Sequence, residues 1–394
     1  MTAPSKTFCI LPWIHLYANP DGNVLPCCVG DWQKPMGNVQ NKKLEDVFNN
    51  EKFKQMRTNM LEGKRCEECT ACYRDEDDGN SSFRKHVNEQ FEKHIPEVLN
   101  TNPDGTIDNF KLRYLDIRWS NICNFKCRSC SGTYSSSWAK EEGKSNVYTF
   151  AGGESNDNLY EQFKPHFDTI EEFYFAGGEP LLTDKHYDIL EYLIENGRTD
   201  VKLRYNTNMS VLRYKNKNIL DLWKQFSNVY IGASLDSWGP RAEYIRNGTD
   251  WEVIENNLRL VQQETPHVML QTNTVVSIFN IKTLTQFLEY LIDNNLVNLK
   301  KYNPNFYNIM NPDYYSFKMI PEEDKIDIIK SLEEFSSKHG GNIEYGIKGV
   351  VNGLRSSTYS PELKTKLKEK TKYYDELRNE NIAETFPEIR EWFK

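Results

Sequence analysis

The chain has no run of 18 or more apolar residues, so no membrane-spanning helix is expected. Its start, MTAPSKTFCILPWIHLYANPDG, carries one Lys and a short apolar stretch broken by Pro12 and His15, which makes a poor secretory signal. A cytoplasmic location is the resulting expectation. Positive charge is in deficit, 49 Lys and Arg against 57 Asp and Glu for a net −8. That balance argues against a general phosphate-binding surface, so no nucleic-acid or membrane partner is expected. The seven His form no ligand constellation, and no repeat of solenoid or propeller period is present. Cysteine is absent from residues 131–394 altogether.

What cysteine there is therefore stands close together. Nine residues fall at 9, 27, 28, then 66, 69, 72, then 123, 127, 130. An odd number cannot pair completely, and in a reducing compartment clustered Cys read as metal ligands or reactive groups. At 394 residues the chain has room for two or three domains.

Residues 1–100 read as loop-rich, with a hairpin turned at Asn19-Pro20-Asp21-Gly22 and helices over Leu44–Glu62 and Ser81–Leu99. From residue 111 strands alternate with helices. Strands are predicted at Arg113–Trp119, Ile170–Ala176, Val201–Asn206, Val229–Leu235, Val268–Val276 and Val297–Tyr302. The intervening helices are Thr133–Gly143, Asp184–Asn196 (capped by Asp184), Lys217–Phe226, Trp251–Glu264 and Lys282–Asn295. Such alternation implies parallel strands with right-handed crossovers. Six units are too few to close an eight-stranded barrel. The fold expected is α/β: a partial (β/α)6 barrel over 111–310, an N-terminal loop-rich cysteine region over 1–100, and a C-terminal helical extension over 311–394.

Cys123, Cys127 and Cys130 follow the first strand of that alternation and precede its first helix, the end of an α/β sheet where ligands bind. Three thiolates in eight residues can hold one face of a cubic 4Fe–4S cluster and leave its fourth iron open, whereas structural zinc wants four closed ligands. This CxxxCxxC resembles the signature of the radical S-adenosylmethionine (SAM) superfamily. Gly177-Gly178-Glu179-Pro180, at the end of the next strand, resembles that family's GGEP motif, which implies binding of the SAM methionine amino group. FAGGE occurs twice, at Phe150–Glu154 and Phe175–Glu179, and only the second follows a clear strand and precedes Pro180. The resemblance further implies that Ser234 and Arg246 hold the SAM carboxylate and that Asn206, at the end of the third strand, contacts SAM; an Asx turn is the plainer reading of Asn206 to Asn208. Thr274 to Val276 fit either an adenine wall or a buried strand end. Ser129 stands where the family usually has an aromatic residue.

The six earlier cysteines, Cys9, Cys27, Cys28 and CEECTAC with Cys66, Cys69 and Cys72, resemble the SPASM/twitch extension, which holds auxiliary iron–sulfur clusters and here precedes the core instead of following it. The resemblance implies an auxiliary 4Fe–4S cluster on Cys9, Cys27, Cys66 and Cys69, with Cys72 as the competitor. Cys28 would point away from Cys27 on a strand. A zinc site on Cys27, Cys28, Cys66 and Cys69 is the alternative. A bacterial ferredoxin run is excluded because Glu76 occupies the position of the fourth Cys.

The resemblance implies a radical SAM enzyme that reductively cleaves SAM to a 5′-deoxyadenosyl radical and abstracts hydrogen from a substrate carbon. A reducing partner such as flavodoxin or ferredoxin would supply the electron. Oxidation, cross-linking or other modification of a peptide or protein is the favoured reading, and dehydrogenation of a sugar or aminocyclitol the runner-up. A non-catalytic zinc or iron–sulfur protein is the alternative from another class. No residue stands out as a substrate acid or base.

Overall fold

The computed structural model describes residues 3–40, 42–79, 81–144, 160–299 and 301–393. The first FAGGE copy, Phe150–Glu154, lies outside them. The chain forms two compact units that do not follow chain order: residues 1–122, 146–204 and 225–228 make one, and 123–145, 205–224 and 229–394 the other.

In the first unit the predicted hairpin forms. Strand β1 (His15–Ala18) pairs antiparallel with β2 (Asn23–Leu25), and Gly22 at φ +83° closes the turn in the left-handed region that favours glycine. β1 also pairs in parallel with β3 (Tyr114–Ile117), Tyr17 facing Asp116, and β3 pairs in parallel with β4 (Glu172–Phe175), Tyr114 facing Glu172. The hairpin thus lengthens the same run of strands to which the first core strand belongs. The helix predicted over Leu44–Glu62 is two helices, Leu44–Phe48 and Glu51–Leu61, because Asn50 is extended and its Oδ1 accepts the Phe53 N–H at 3.0 Å, an N-cap in mid-pattern. Ser81–Leu99 divides likewise into an α-helix, Phe83–Gln90, and a 3₁₀ stretch, Glu92–Asn100, that contains Pro96. Helix Asp184–Glu195 begins as expected, but Thr183 is its N-cap residue and Asp184 lies in the first turn, where its charge suits the helix dipole. It buries Tyr187, Ile189, Leu190 and Leu193, at roughly 1.5–3 kcal/mol for each large apolar side chain.

Strand β5 (Lys202–Thr207) carries the chain from the first unit into the second. There β6 (Val229–Ser234), β7 (Met269–Val276) and β8 (Asn305–Asn308) pair in parallel. The last strand is not at Val297–Tyr302 as predicted: Leu296, Val297 and Leu299 are buried as a turn after helix Leu284–Asp293, and pairing begins at Asn305. The helix predicted over Lys217–Phe226 is cut to Ile219–Trp223, because Arg213–Tyr214 and Lys217–Asn218 form a small antiparallel pair. The six parallel strands β3 to β8 make an α/β fold with no closed barrel among the described residues, in keeping with the partial barrel expected. Helices Glu322–His339, Gly341–Ser356 and Leu363–Arg378 form the C-terminal part. No described helix is long and apolar enough to cross a membrane.

Candidate functional site

In the second unit the loop of Cys123, Cys127 and Cys130 is held by its backbone. Lys126–Cys127 is a two-residue strand paired with Arg246–Asn247, which sets Cys127 opposite Arg246. Ser135 caps helix Ser136–Glu141 through the Trp138 N–H and donates its hydroxyl to Phe125 O at 2.6 Å. The Cys123 N–H donates to Ser136 Oγ at 3.2 Å, Ser137 Oγ donates to Cys123 O at 2.7 Å, and Trp138 Nε1 donates to Cys127 O at 2.6 Å. The run Ser135-Ser136-Ser137-Trp138 is thus a scaffold that sequence reading passed over, although three successive hydroxyls at a helix start are a legible capping signal. Burial raises the Cys127 thiol and pushes that of Cys130 up to about 12, so bound metal has to displace their protons.

Arg246 is pinned from both ends. Its Nε lies 2.8 Å from Asp236 Oδ2, its Nη2 donates to Asp236 Oδ1 at 3.1 Å, and its Nη1 lies 3.7 Å from Cys127 Sγ. Asp236 is buried and also accepts the Val275 N–H at 2.8 Å. The structure gives Arg246 the partner Asp236, and Ser234 sits half-buried at the end of β6. Asn206 takes part in a side-chain ladder: Asn273 Nδ2 donates to Asn206 Oδ1 at 2.5 Å, and Asn305 Nδ2 donates to Asn273 Oδ1 at 2.9 Å. Asn273 lies across Gly232, where a Cβ would come within 2.1 Å of its Nδ2. Asn208 makes the Asx turn, accepting from Ser210 N at 2.9 Å, and donates to Asn124 of the cysteine loop at 3.0 Å. At the end of β7, Thr274 and Val276 are fully buried and Val275 is partly exposed.

Gly177, Gly178 and Glu179 belong to the first unit, where the glycines are required by close backbone approach. Gly177 has φ +121°, and a Cβ on Gly178 would lie 2.2 Å from Ile122 O. Glu179 is 1% exposed, accepts the Leu181 N–H at 3.1 Å, and lines a small pocket with Pro180, Trp119 and His186.

Also in the first unit, Cys9, Cys27, Cys69 and Cys72 line one pocket, together with Pro26, Met60 and Arg84. None of the nine cysteines is in a disulfide among the described residues. Cys66 is buried beside that pocket with its thiol 3.7 Å from Met56 O, near enough to act on the thiols of Cys9 and Cys69. Burial and mutual repulsion raise the Cys69 and Cys27 thiols strongly and push Cys9 up to about 12. The four expected thiols thus share one neighbourhood, with Cys72 on the pocket wall. Helix Phe83–Gln90 fixes the Cys9 segment: Arg84 Nη1 donates to Phe8 O at 2.6 Å, and Asn88 accepts from Ile10 N at 2.8 Å. Among the described residues no three His, Cys, Asp or Glu converge to bind a single metal ion; the thiols are spread around a pocket. Their donor type and number fit an iron–sulfur cluster. Cys28 does not line that pocket, and the charges of Asp116, Arg118 and Arg204 act on its thiol. His15 is a core residue, stacked on Tyr114 with Nδ1 2.9 Å from Tyr114 O.

Comparison with known proteins gives two family matches: an iron–sulfur cluster-binding domain of the SPASM type over residues 9–73 and the radical SAM superfamily over residues 117–291. A GTP 3′,8-cyclase of Campylobacter curvus (strain 525.92) is 31% identical over 109 residues, 27% of this chain and 31% of that protein. Among solved structures, anSMEcpe with bound AdoMet is 18% identical over 58% of this chain and 62% of that chain, at a TM-score of 0.42. Streptococcus suis SuiB bound to S-adenosylmethionine is 12% identical over 86% and 72%, also at 0.42. The chain thus spans under two thirds of the first two of these relatives. The matched domains bring SAM and a 4Fe–4S cluster to the core and iron–sulfur chemistry to the N-terminal region. With its cysteine loop, GGEP segment and N-terminal thiol pocket inside those matches, the chain belongs to the radical SAM superfamily and carries a SPASM domain ahead of its core.

Proposed function

We propose that this protein is an enzyme that cleaves SAM reductively and uses the resulting 5′-deoxyadenosyl radical to abstract hydrogen from a carbon of a peptide or protein. When bound, the cluster supplies one electron to SAM, chemistry that belongs to the cofactor. The chain's part is to bind and orient. Cys123, Cys127 and Cys130 would hold the cluster on a loop whose backbone groups are already bonded to Ser135, Ser136, Ser137 and Trp138. Gly177 to Pro180 would take the methionine amino end, with buried Glu179 offsetting its charge. Arg246, fixed by Asp236, would offer its guanidinium to the methionine carboxylate, and Asn206 would contact SAM from the end of β5. Cys9, Cys27 and Cys69, with Cys66 or Cys72, would hold the auxiliary cluster.

The observation that carries this reading is the pairing of Cys127 with Arg246 on adjacent strands, with Arg246 Nη1 3.7 Å from Cys127 Sγ. The peptide substrate rests on the resemblance to SPASM/twitch enzymes. The test is anaerobic: iron-reconstituted protein, dithionite and SAM, with 5′-deoxyadenosine measured by chromatography. Product is expected from the wild type and none above background from Cys127→Ala. Equal product from both would overturn the assignment.

A further inference from the structure

One face of the first unit's strands is charged where a core face would ordinarily be apolar. Paired residues in register and residues two apart on a strand share a face. By that rule Tyr17 of β1, Tyr114 and Asp116 of β3, and Glu172 and Tyr174 of β4 lie side by side. Lys202 and Arg204 join them from β5: Lys202 Nζ is 3.0 Å and Arg204 Nη1 3.3 Å from the buried Glu172 carboxylate. Arg118, just past β3, lies 2.9 Å from the fully buried Asp116. The rings are interleaved with the cations. The Arg118 guanidinium stands 5.3 Å from the Tyr17 ring and 5.2 Å from the Tyr174 ring, and Arg204 stands 5.2 Å from Tyr174.

Two observations place this cluster where a substrate belongs. A Cβ on Gly177 would be 3.2 Å from the Arg118 Cβ, so the cluster abuts the GGEP segment. The charges of Asp116, Arg118 and Arg204 also act on the thiol of Cys28, the residue after pocket-lining Cys27. Burying ion pairs on a sheet face gains little over packing apolar residues there, so stability does not account for them.

Charge and shape define the ligand. Arg118, Lys202 and Arg204 against Asp116 and Glu172 leave one net positive charge, which balances a monoanion. A nucleoside triphosphate or a phosphate dianion would bring more negative charge up against both carboxylates. The Arg204 side chain is 35% exposed and makes one hydrogen bond among the described residues, so its planar fork retains open N–H donors. That fork matches a carboxylate.

We propose that Arg204, with Arg118 and Tyr174, forms a subsite for a carboxylate of the substrate, the side chain of an Asp or Glu or the C-terminus of a peptide. The subsite deepens the function proposed above and rests on it for the substrate's nature.

The experiment uses the full-length, iron-reconstituted protein and N-acetyl-L-aspartate α-amide as probe, with binding followed by saturation-transfer NMR. The asparagine counterpart, which lacks the charge, should bind at least about tenfold more weakly, and Arg204→Gln should weaken the aspartate probe by about tenfold, the scale of one lost charge-assisted contact. Arg204→Lys, which keeps the charge and loses the fork, should fall between. Inorganic phosphate and GTP should not displace the probe. Equal binding of the two probes, no binding, wild-type binding by Arg204→Gln, or displacement by phosphate or GTP would each overturn the subsite. If Arg204→Gln fails to retain iron or native circular dichroism, the comparison of the two probes on wild-type protein decides. SAM cleavage is measured on the same preparation: its absence beside normal probe binding would sink the proposed function and leave the subsite standing.

Discussion

The C-terminal segment grips the residue next to Cys127, and removing that grip has a calculable cost. The Arg128 side chain is 1% exposed; its Nη2 donates to Asp375 at 2.7 Å and Glu380 at 2.5 Å, and its guanidinium stacks 3.8 Å from the Tyr244 ring. Arg128→Met would fill most of the space but strand two largely buried carboxylates, and breaking such a pair from one side costs about 3–5 kcal/mol. Other donors remain. Asp375 keeps the Tyr244 hydroxyl at 2.7 Å and the Ile382 N–H at 2.9 Å, and Glu380 keeps Asn247 at 2.7 Å. The lower end of that range, about 3 kcal/mol, is therefore expected. Hydrogen exchange read by mass spectrometry tests it locally: protection of helix Leu363–Arg378 should fall by roughly two decades. Adding Glu380→Gln removes one stranded charge and should restore at least about fivefold, or 1 kcal/mol. A loss under about fourfold in Arg128→Met, or a double variant no better than the single, would refute the reasoning.

Three other outcomes follow from particular residues. In the thiol pocket, Cys72→Ala and Cys66→Ala separate the two remaining ligand candidates: loss of one is expected to remove about four irons per chain by iron assay after reconstitution, and the expected one is Cys72, which lines the pocket. Gly232→Ala would set a Cβ 2.1 Å from Asn273 Nδ2 and break the Asn206–Asn273–Asn305 ladder; SAM affinity by equilibrium dialysis should weaken about tenfold, on the loss of one contact. Burial lowers the His15 pKa from 6.5 to about 4, so the folded state keeps this ring neutral while the unfolded chain takes up a proton below 6.5. Stability from this group is present above that pH and lost as pH falls toward 4. Against His15→Gln, the wild type should lose about 2–3 kcal/mol between pH 7 and pH 4.5 in urea unfolding.

Much of the site was legible in residue order because its chemistry depends on local spacing. Three thiols within eight residues, two glycines before an acid and a proline, and a turn at Pro20-Asp21-Gly22 are features of consecutive residues. Five of the six core strands fell close to their predicted places because burial imposes a periodicity that sequence displays. Where a local signal competed with that pattern, the local signal won: Asn50 caps a second helix inside one apolar stripe, and a small hairpin shortens the helix at Ile219.

Residue order alone thus determined the partition of the cysteines, the α/β character of residues 111–310 and the α-helical C-terminus, all set by short-range chemistry and burial. Only the tertiary structure decided which distant side chains meet. Pairing across strands made Asp236 the partner of Arg246, drew Asn273 over Gly232 to Asn206, put Cys72 on the pocket wall, and gathered Arg118, Tyr174 and Arg204 on one face. Those contacts depend on strand register and on which positions can lack a side chain, quantities fixed by packing between segments far apart in the chain.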